Sequence, residues 1–149
     1  MSEAIFSHVG VMCKDPVRLE EFYTKHFGFQ RARVYAPGPE QVVMIKSKGV
    51  YLELFQATEN SPFPSPKEAG PTYPSWRHIC FLVNDLDTKL QEMGDDARIT
   101  MGPIDMSEFI PNMKVCWIAD PEGNIVELNQ GYVDEKNPPP LKSTNRIRL

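Results

Sequence analysis

Cysteine is scarce in this sequence, and positive charge is not in excess. Cys13, Cys80 and Cys116 are the three cysteines in 149 residues, odd in number and widely spaced. They form no C-x-x-C and no disulfide framework, so the pattern fits a reducing, cytoplasmic setting. Lys and Arg total 16 against 20 Asp and Glu, a net charge of −4, which is not the basic balance of a nucleic-acid binder. No apolar run approaches the ~18 residues that cross a bilayer, so no membrane span is expected. Met1-Ser2-Glu3-Ala4 carries neither the basic nor the apolar region of a secretory signal. What remains is ordinary for a globular protein: 41% hydrophobic and 24% charged residues, in a length that suits one domain or two small modules sharing a core.

Hydrophobic periodicity and turn residues divide the chain. A strand is expected over Ile5 to Met12, then a helix capped by Asp15 with Pro16 at its first position. Leu19, Phe22, Tyr23, His26 and Phe27 fall on one helical face, and Gly28 ends it. Three strands follow, Phe29 to Tyr35, Gln41 to Ser47 and Val50 to Gln56, with turns at Pro37-Gly38-Pro39 and Lys48-Gly49. Residues 57–75 read as a linker, broken by five prolines and loosened by Gly70. The order then repeats: a strand over Trp76 to Val83, a helix capped at Asn84-Asp85 and stopped by Gly94, a weak strand over Ala97 to Met101, an irregular loop over 102–112, and strands Lys114 to Ala119 and Asn124 to Asn129.

The predicted class is α+β, two tandem βαβββ modules (5–56 and 76–131) in one domain spanning 1–131, curled around a cleft. Asp15 maps to Asp85 and Gly49 to Gly123, which reads as an internal duplication. Residues 132–149, with Pro138-Pro139-Pro140 and then Lys142, Arg146 and Arg148, read as an extended tail.

Four polar residues interrupt apolar strands. His8 and His78 lie in the first strand of each repeat, and Glu53 and Glu127 in the last. In Tyr51 to Phe55, Leu52 and Leu54 share one face while Glu53 points to the other. A carboxylate inside a curled sheet is costly unless compensated, and a divalent metal compensates it directly. Two imidazoles and two carboxylates suit zinc, nickel, cobalt, iron or manganese, with room for two further oxygen ligands.

These residues carry a resemblance. His8-Val9-Gly10-Val11, Glu21-Phe22-Tyr23 through Phe27-Gly28-Phe29, Tyr51-Leu52-Glu53-Leu54, Arg77-His78-Ile79 and Asp120-Pro121-Glu122-Gly123-Asn124-Ile125-Val126-Glu127-Leu128 resemble the vicinal oxygen chelate superfamily. That group includes glyoxalase I, methylmalonyl-CoA epimerase, fosfomycin-resistance enzymes and extradiol dioxygenases. The resemblance implies paired βαβββ modules around one divalent metal, and the four ligands His8, Glu53, His78 and Glu127 are most similar to the glyoxalase I set. It also implies a homodimer, with the site lying within one chain or across two. The Arg and Asn that glutathione-dependent members would carry after the first and second ligands are replaced here near Met12 and Ala57, so a glutathione conjugate is not implied.

The expected function is thus a metal-dependent lyase or isomerase acting on a small α-hydroxy-carbonyl or hemithioacetal through an enediolate. Glu127 is the first candidate base and Glu53 the second. One alternative is an Fe(II) dioxygenase using His8, His78 and Glu127. Another is a non-catalytic small-molecule binder whose pocket Trp76, Trp117, Phe109 and Tyr51 would line. Loop 102–112 is a candidate lid, and Lys14 and Lys114 are candidate contacts for an anion. Cys80, on the same strand face as His78, reads as a buried apolar residue; no thiol or Ser-His-Asp motif is present.

Overall fold

Among the described residues, two capped helices and eight short strands follow local signals in the sequence. The structure, a computed structural model, describes residues 3–35, 38 and 40–141. Strand β1 (His8–Cys13) leads into α1 (Pro16–Phe27), whose N-terminus is closed by Asp15: its Oδ1 accepts from the N–H groups of Val17 and Arg18 at 3.1 Å each. Gly28, at φ 67°, takes the left-handed conformation that ends the helix. Strands β2 (Gln30–Tyr35), β3 (Val42–Ser47) and β4 (Val50–Gln56) complete the first module. The second has β5 (Ile79–Leu82), α2 (Leu86–Met93), a 3-10 turn (Gly94–Asp96), β6 (Arg98–Asp105), β7 (Lys114–Ala119) and β8 (Ile125–Gln130). Asp85 caps α2 by accepting from Thr88 N–H at 2.7 Å.

The duplication is structural. One sheet has the order β1-β4-β3-β2 and the other β5-β8-β7-β6. In each the first strand pairs parallel to the last, and the remaining pairs are antiparallel. Among the described residues the sheets are two four-stranded mixed units with no strand pairing between them, which agrees with the expected α+β class of two βαβββ modules.

Alternation sorts their faces. Val43, Ile45, Leu52 and Leu54 of the first sheet, and Cys116, Ile118, Val126 and Leu128 of the second, are buried with Leu19, Phe22, Tyr23 and Leu86 in one core. The opposite faces carry Tyr51, Glu53 and Phe55, and Trp117, Glu127 and Asn129.

Helix α1 joins the modules. Phe81 of β5 stacks on Phe27, with centroids 4.2 Å apart, and also meets Tyr23 and Phe29. Tyr23 Oη donates to Asp120 Oδ2 at 3.0 Å. Asp120 is fully buried in the β7–β8 turn, where it also accepts from the backbone of Glu122 and Asn124 and the Asn124 amide. Burial outweighs these donors and holds the Asp120 carboxyl above the usual carboxylate range. In return the Glu122 carboxylate accepts from Lys14 N–H at 2.8 Å and Asp15 N–H at 3.0 Å, at the start of α1. At its other end His26 and Lys25 meet Asp96 at 2.9 and 2.7 Å.

Several expected boundaries move. Strand β1 begins at His8, leaving Ile5 and Phe6 exposed, and β5 begins at Ile79, so His78 lies just before its strand. Strand β6 runs on to Asp105 because register shifts around Met101 and Ile104 absorb Gly102-Pro103. The rest of the candidate lid folds on itself: Met106 N–H donates to Met113 O, and Phe109 and Ile110 N–H to Met106 O, with Phe109 exposed.

The linker holds no helix or strand, yet it is not loose at its centre. Ala69 and Gly70 are buried, and a Cβ on Gly70 would lie 2.3 Å from Arg77 O, so this glycine serves close approach rather than freedom. Residues 132–141 are exposed and without regular structure, while Lys142, Arg146 and Arg148 lie outside the described residues, as do Pro37 and Pro39. No helix among the described residues is long and apolar enough to cross a membrane.

Tyr23→Phe leaves Asp120 buried with one donor fewer. The expected loss of unfolding free energy is about 1–3 kcal/mol, read from urea denaturation. An unchanged midpoint would remove this bond from the account of how the modules are joined.

Candidate metal centre

Parallel pairing of first and last strands sets a histidine beside a glutamate in each module. In the first, Gly10 is the register partner of Glu53, and His8 lies two residues earlier on the same face. His8 Nε2 is 3.0 Å from Glu53 Oε2. In the second, Cys80 is the partner of Glu127, and His78 Nε2 is 2.9 Å from Glu127 Oε2. All four candidate ligands therefore fall into two equivalent His–Glu pairs, one on each sheet.

The pairs do not merge within one chain. Among the described residues no three His, Cys, Asp or Glu side chains converge as a metal site would require. His8 and His78 do line one groove of about 500 Å³, walled by Phe6, Met12, Trp76 and Ile125.

The donor chemistry of the second pair fits a cation. His78 Nδ1 lies 2.8 Å from Ala69 O, which can only accept, so Nδ1 carries the proton. In the neutral ring Nε2 then turns its lone pair on a carboxylate oxygen 2.9 Å away. Two electron pairs so placed require a proton or a metal ion between them. A carbonyl that fixes the tautomer of a ligand histidine is the usual support of such sites.

The two glutamates differ in their surroundings. Trp117 Nε1 donates to Glu127 Oε2 at 3.1 Å, Asn129 Nδ2 to Oε1 at 3.0 Å, and Cys80 Sγ to Oε1 at 3.5 Å. Asn129 Oδ1 is itself buried without a partner among the described residues. Glu53 has the apolar neighbours Met44, Gly10, Tyr51 and Phe55, and His8 is its one polar contact among the described residues. The first pair is also more open, with 37% of the His8 side chain and 19% of Glu53 exposed against 22% and 12% for His78 and Glu127. Partial desolvation beside the Glu127 carboxylate pushes the Cys80 thiol up to about 12, so it stays a protonated donor and not a nucleophile. Cys80 is exposed, not the buried apolar residue expected from sequence.

Other candidates fare differently. Trp117 and Tyr51 share faces with the two glutamates, whereas Trp76 is 95% exposed and Phe109 points to solvent. Lys114 is committed to Asp87 at 2.8 Å beside α2, so it does not face either pair. Sequence reasoning missed the Ala69 carbonyl and Asn129. Asn129 was open to inference from its i+2 spacing to Glu127, while Ala69 reaches His78 through a linker fold that no local pattern announces.

Comparison with known proteins adds to this geometry. The sequence model of the Glyoxalase/Bleomycin resistance protein/Dioxygenase superfamily matches residues 5–128. No curated protein matches the chain. Among solved structures, the glyoxalase family protein from Enterococcus faecalis is 25% identical, with a TM-score of 0.59 covering 84% of this chain and 96% of that one. SMU.1112c is 23% identical, with a TM-score of 0.61 covering 86% and 99%. The fosfomycin resistance protein FosX from Listeria monocytogenes is 12% identical, with a TM-score of 0.64 covering 89% and 97%. The likeness to SMU.1112c and FosX is one of fold.

The indole of Trp117 gives this centre a reporter. In a Trp76→Phe background, Co(II) or Ni(II) is expected to quench the remaining tryptophan fluorescence. A chelator should restore it, and Glu127→Ala should abolish the effect. Trp117→Phe should weaken metal affinity by about 10–100-fold, the usual cost of losing such a support. Metal uptake without any fluorescence change would place the ion away from Glu127.

Proposed function

We propose that this chain, which belongs to the Glyoxalase/Bleomycin resistance protein/Dioxygenase superfamily, is a metal-dependent lyase or isomerase of the glyoxalase type. Its substrate would be a small α-hydroxy-carbonyl or hemithioacetal. The observation that carries this reading is the pair of equivalent His–Glu contacts, at 3.0 and 2.9 Å, on matching faces of duplicated sheets. Retention of a carboxylate in both modules favours proton transfer at carbon over the three-ligand dioxygenase alternative.

His8, Glu53, His78 and Glu127 would hold one divalent transition metal, which when bound supplies a Lewis acid for neighbouring substrate oxygens. A single chain keeps the two pairs apart, so we assign the complete site to a homodimer, in which the His8–Glu53 pair of one protomer faces the partner's His78–Glu127. The exposed apolar rim of Ile5, Phe6, Met12, Trp76 and Leu82 beside these faces suits such a contact.

The unequal surroundings divide the work of the carboxylates. Glu127 is held by an indole, an amide and a thiol, which suits a fixed ligand. Glu53 has no such tether and is free to turn toward the substrate. We therefore assign Glu53 as the base that takes the proton from the carbon beside the carbonyl and returns it to the same or the adjacent carbon. His78, locked by Ala69, keeps its geometry throughout.

Glu53→Gln is expected to lower kcat by about 10²–10⁴-fold while keeping most of the metal, whereas Glu127→Gln should lose metal as well. Metal analysis beside a hemithioacetal isomerisation assay checks both, and full turnover in Glu53→Gln would remove it as the base.

Mixing variants tests the shared site. His8→Ala and His78→Ala proteins, each deficient alone, should regain about one quarter of wild-type metal and activity when unfolded and refolded together at equal ratio. Half of the dimers would then be mixed, with one intact site of two. No recovery would place both pairs in one chain.

A further inference from the structure

The face of the first sheet carries more than its His–Glu pair. Register puts Lys46 opposite Tyr51 and Met44 opposite Glu53 on β3, and Arg33 opposite Met44 on β2. Cross-strand partners point to the same side of a sheet, so Glu53, Tyr51, Lys46 and Arg33 share one surface. Contacts agree: Lys46 Nζ lies 5.2 Å from the centre of the Tyr51 ring, and the Arg33 guanidinium 5.7 Å from that of Tyr35.

The neighbouring arginine on the strand is the control. Arg31 points to the helix side and is neutralised by Glu20. Among the described residues no carboxylate forms an ion pair with Lys46 or Arg33. Two cations, each laid on an aromatic ring, are thus left without a counter-ion on the face that holds the candidate ligands.

The duplication shows that this is not part of the sheet design. Ala119, paired with Ile125, stands where the first module has Lys46, and Met101, paired with Trp117, stands where it has Arg33. The cations belong to one wall of the site. Two strand spacings separate the Glu53 and Arg33 backbones, about 10 Å, a distance that the two side chains and a three- or four-carbon substrate can span.

We infer that Lys46 and Arg33 form an anion subsite on the first sheet, and that the substrate carries a phosphate or carboxylate at the end remote from its reacting oxygens. This rests on the metal-centred reading above and narrows its substrate class. It also places anion recognition on β2 and β3, away from Lys14 and Lys114.

Dihydroxyacetone and dihydroxyacetone phosphate are suitable probes, since they share an α-hydroxy ketone and differ by the phosphate. The metal-loaded wild-type protein should bind the phosphate ester roughly tenfold more tightly or better, as charge-assisted contacts allow. Lys46→Met with Arg33→Met should remove that preference and leave dihydroxyacetone binding and thermal stability unchanged, because both side chains are exposed. Equal affinities in the wild type, or a preference that survives both substitutions, would overturn the subsite. Metal content and binding of inorganic phosphate to the metal-free protein separate this from the function. Full metal without a phosphate preference overturns the subsite alone. Absent metal, with phosphate held by the wild type but not by the double variant, overturns the metal reading and supports the subsite.

Discussion

The seam between α1 and the second module governs the rest of the molecule. Phe81 stacks on Phe27, and the buried Asp120 carboxyl is held by Tyr23 from the opposite module. A carboxyl fully removed from water is tolerable only when its oxygens are matched by donors, and here backbone, amide and phenol all contribute. Because this seam draws the helix-facing sides of both sheets into one core, their other sides face outward. Those are the sides that carry the two His–Glu pairs.

An outward-facing pair has a different economy from a buried one. Neither Glu53 nor Glu127 is fully buried, and Glu53 is met by the His8 imidazole alone among the described polar groups. The second module goes further and prepares its half: the Ala69 carbonyl sets the His78 tautomer, and Trp117, Asn129 and Cys80 hold Glu127. The first module keeps its half loose, and concentrates uncompensated positive charge on Lys46 and Arg33 instead. Duplication supplied two copies of one scaffold, and the face residues have since diverged; under the proposed function one module anchors while the other serves catalysis and substrate binding.

The linker belongs to this division. Its prolines mark it as irregular, but Ala69 and Gly70 pack against Arg77, and Thr100 Oγ1 donates to Glu68 O at 2.6 Å. A segment that reads as a spacer therefore acts as a support for His78. Arg77 strengthens it by donating to the same Ala69 carbonyl at 3.1 Å. Changes in the linker are thus changes in the surroundings of His78, and Pro66 and Pro71 also line the groove that His8 and His78 share.

Much of this architecture was legible along the chain, because its signals are local. Asp15, Gly28 and Asp85 announce helix ends through bonds within a few residues. The alternation of Leu52, Glu53 and Leu54 announces which side of a strand meets the core. The similar spacing of the two His, 70 residues apart, and of the two Glu, 74 apart, announces a duplicated His–Glu pair. Boundaries failed where tertiary pairing overrode local pattern, as in β6, which runs through Gly102-Pro103 because β7 is there to pair with it. The relation of the two His–Glu pairs to each other was also beyond local pattern. It depends on how Phe81 seats on α1, a contact between residues 54 apart in sequence. Sequence periodicity specifies the face a side chain takes on its own element. Which faces meet is decided by the packing of distant apolar side chains, and here that packing leaves the two His–Glu pairs on the sheet faces turned away from the core.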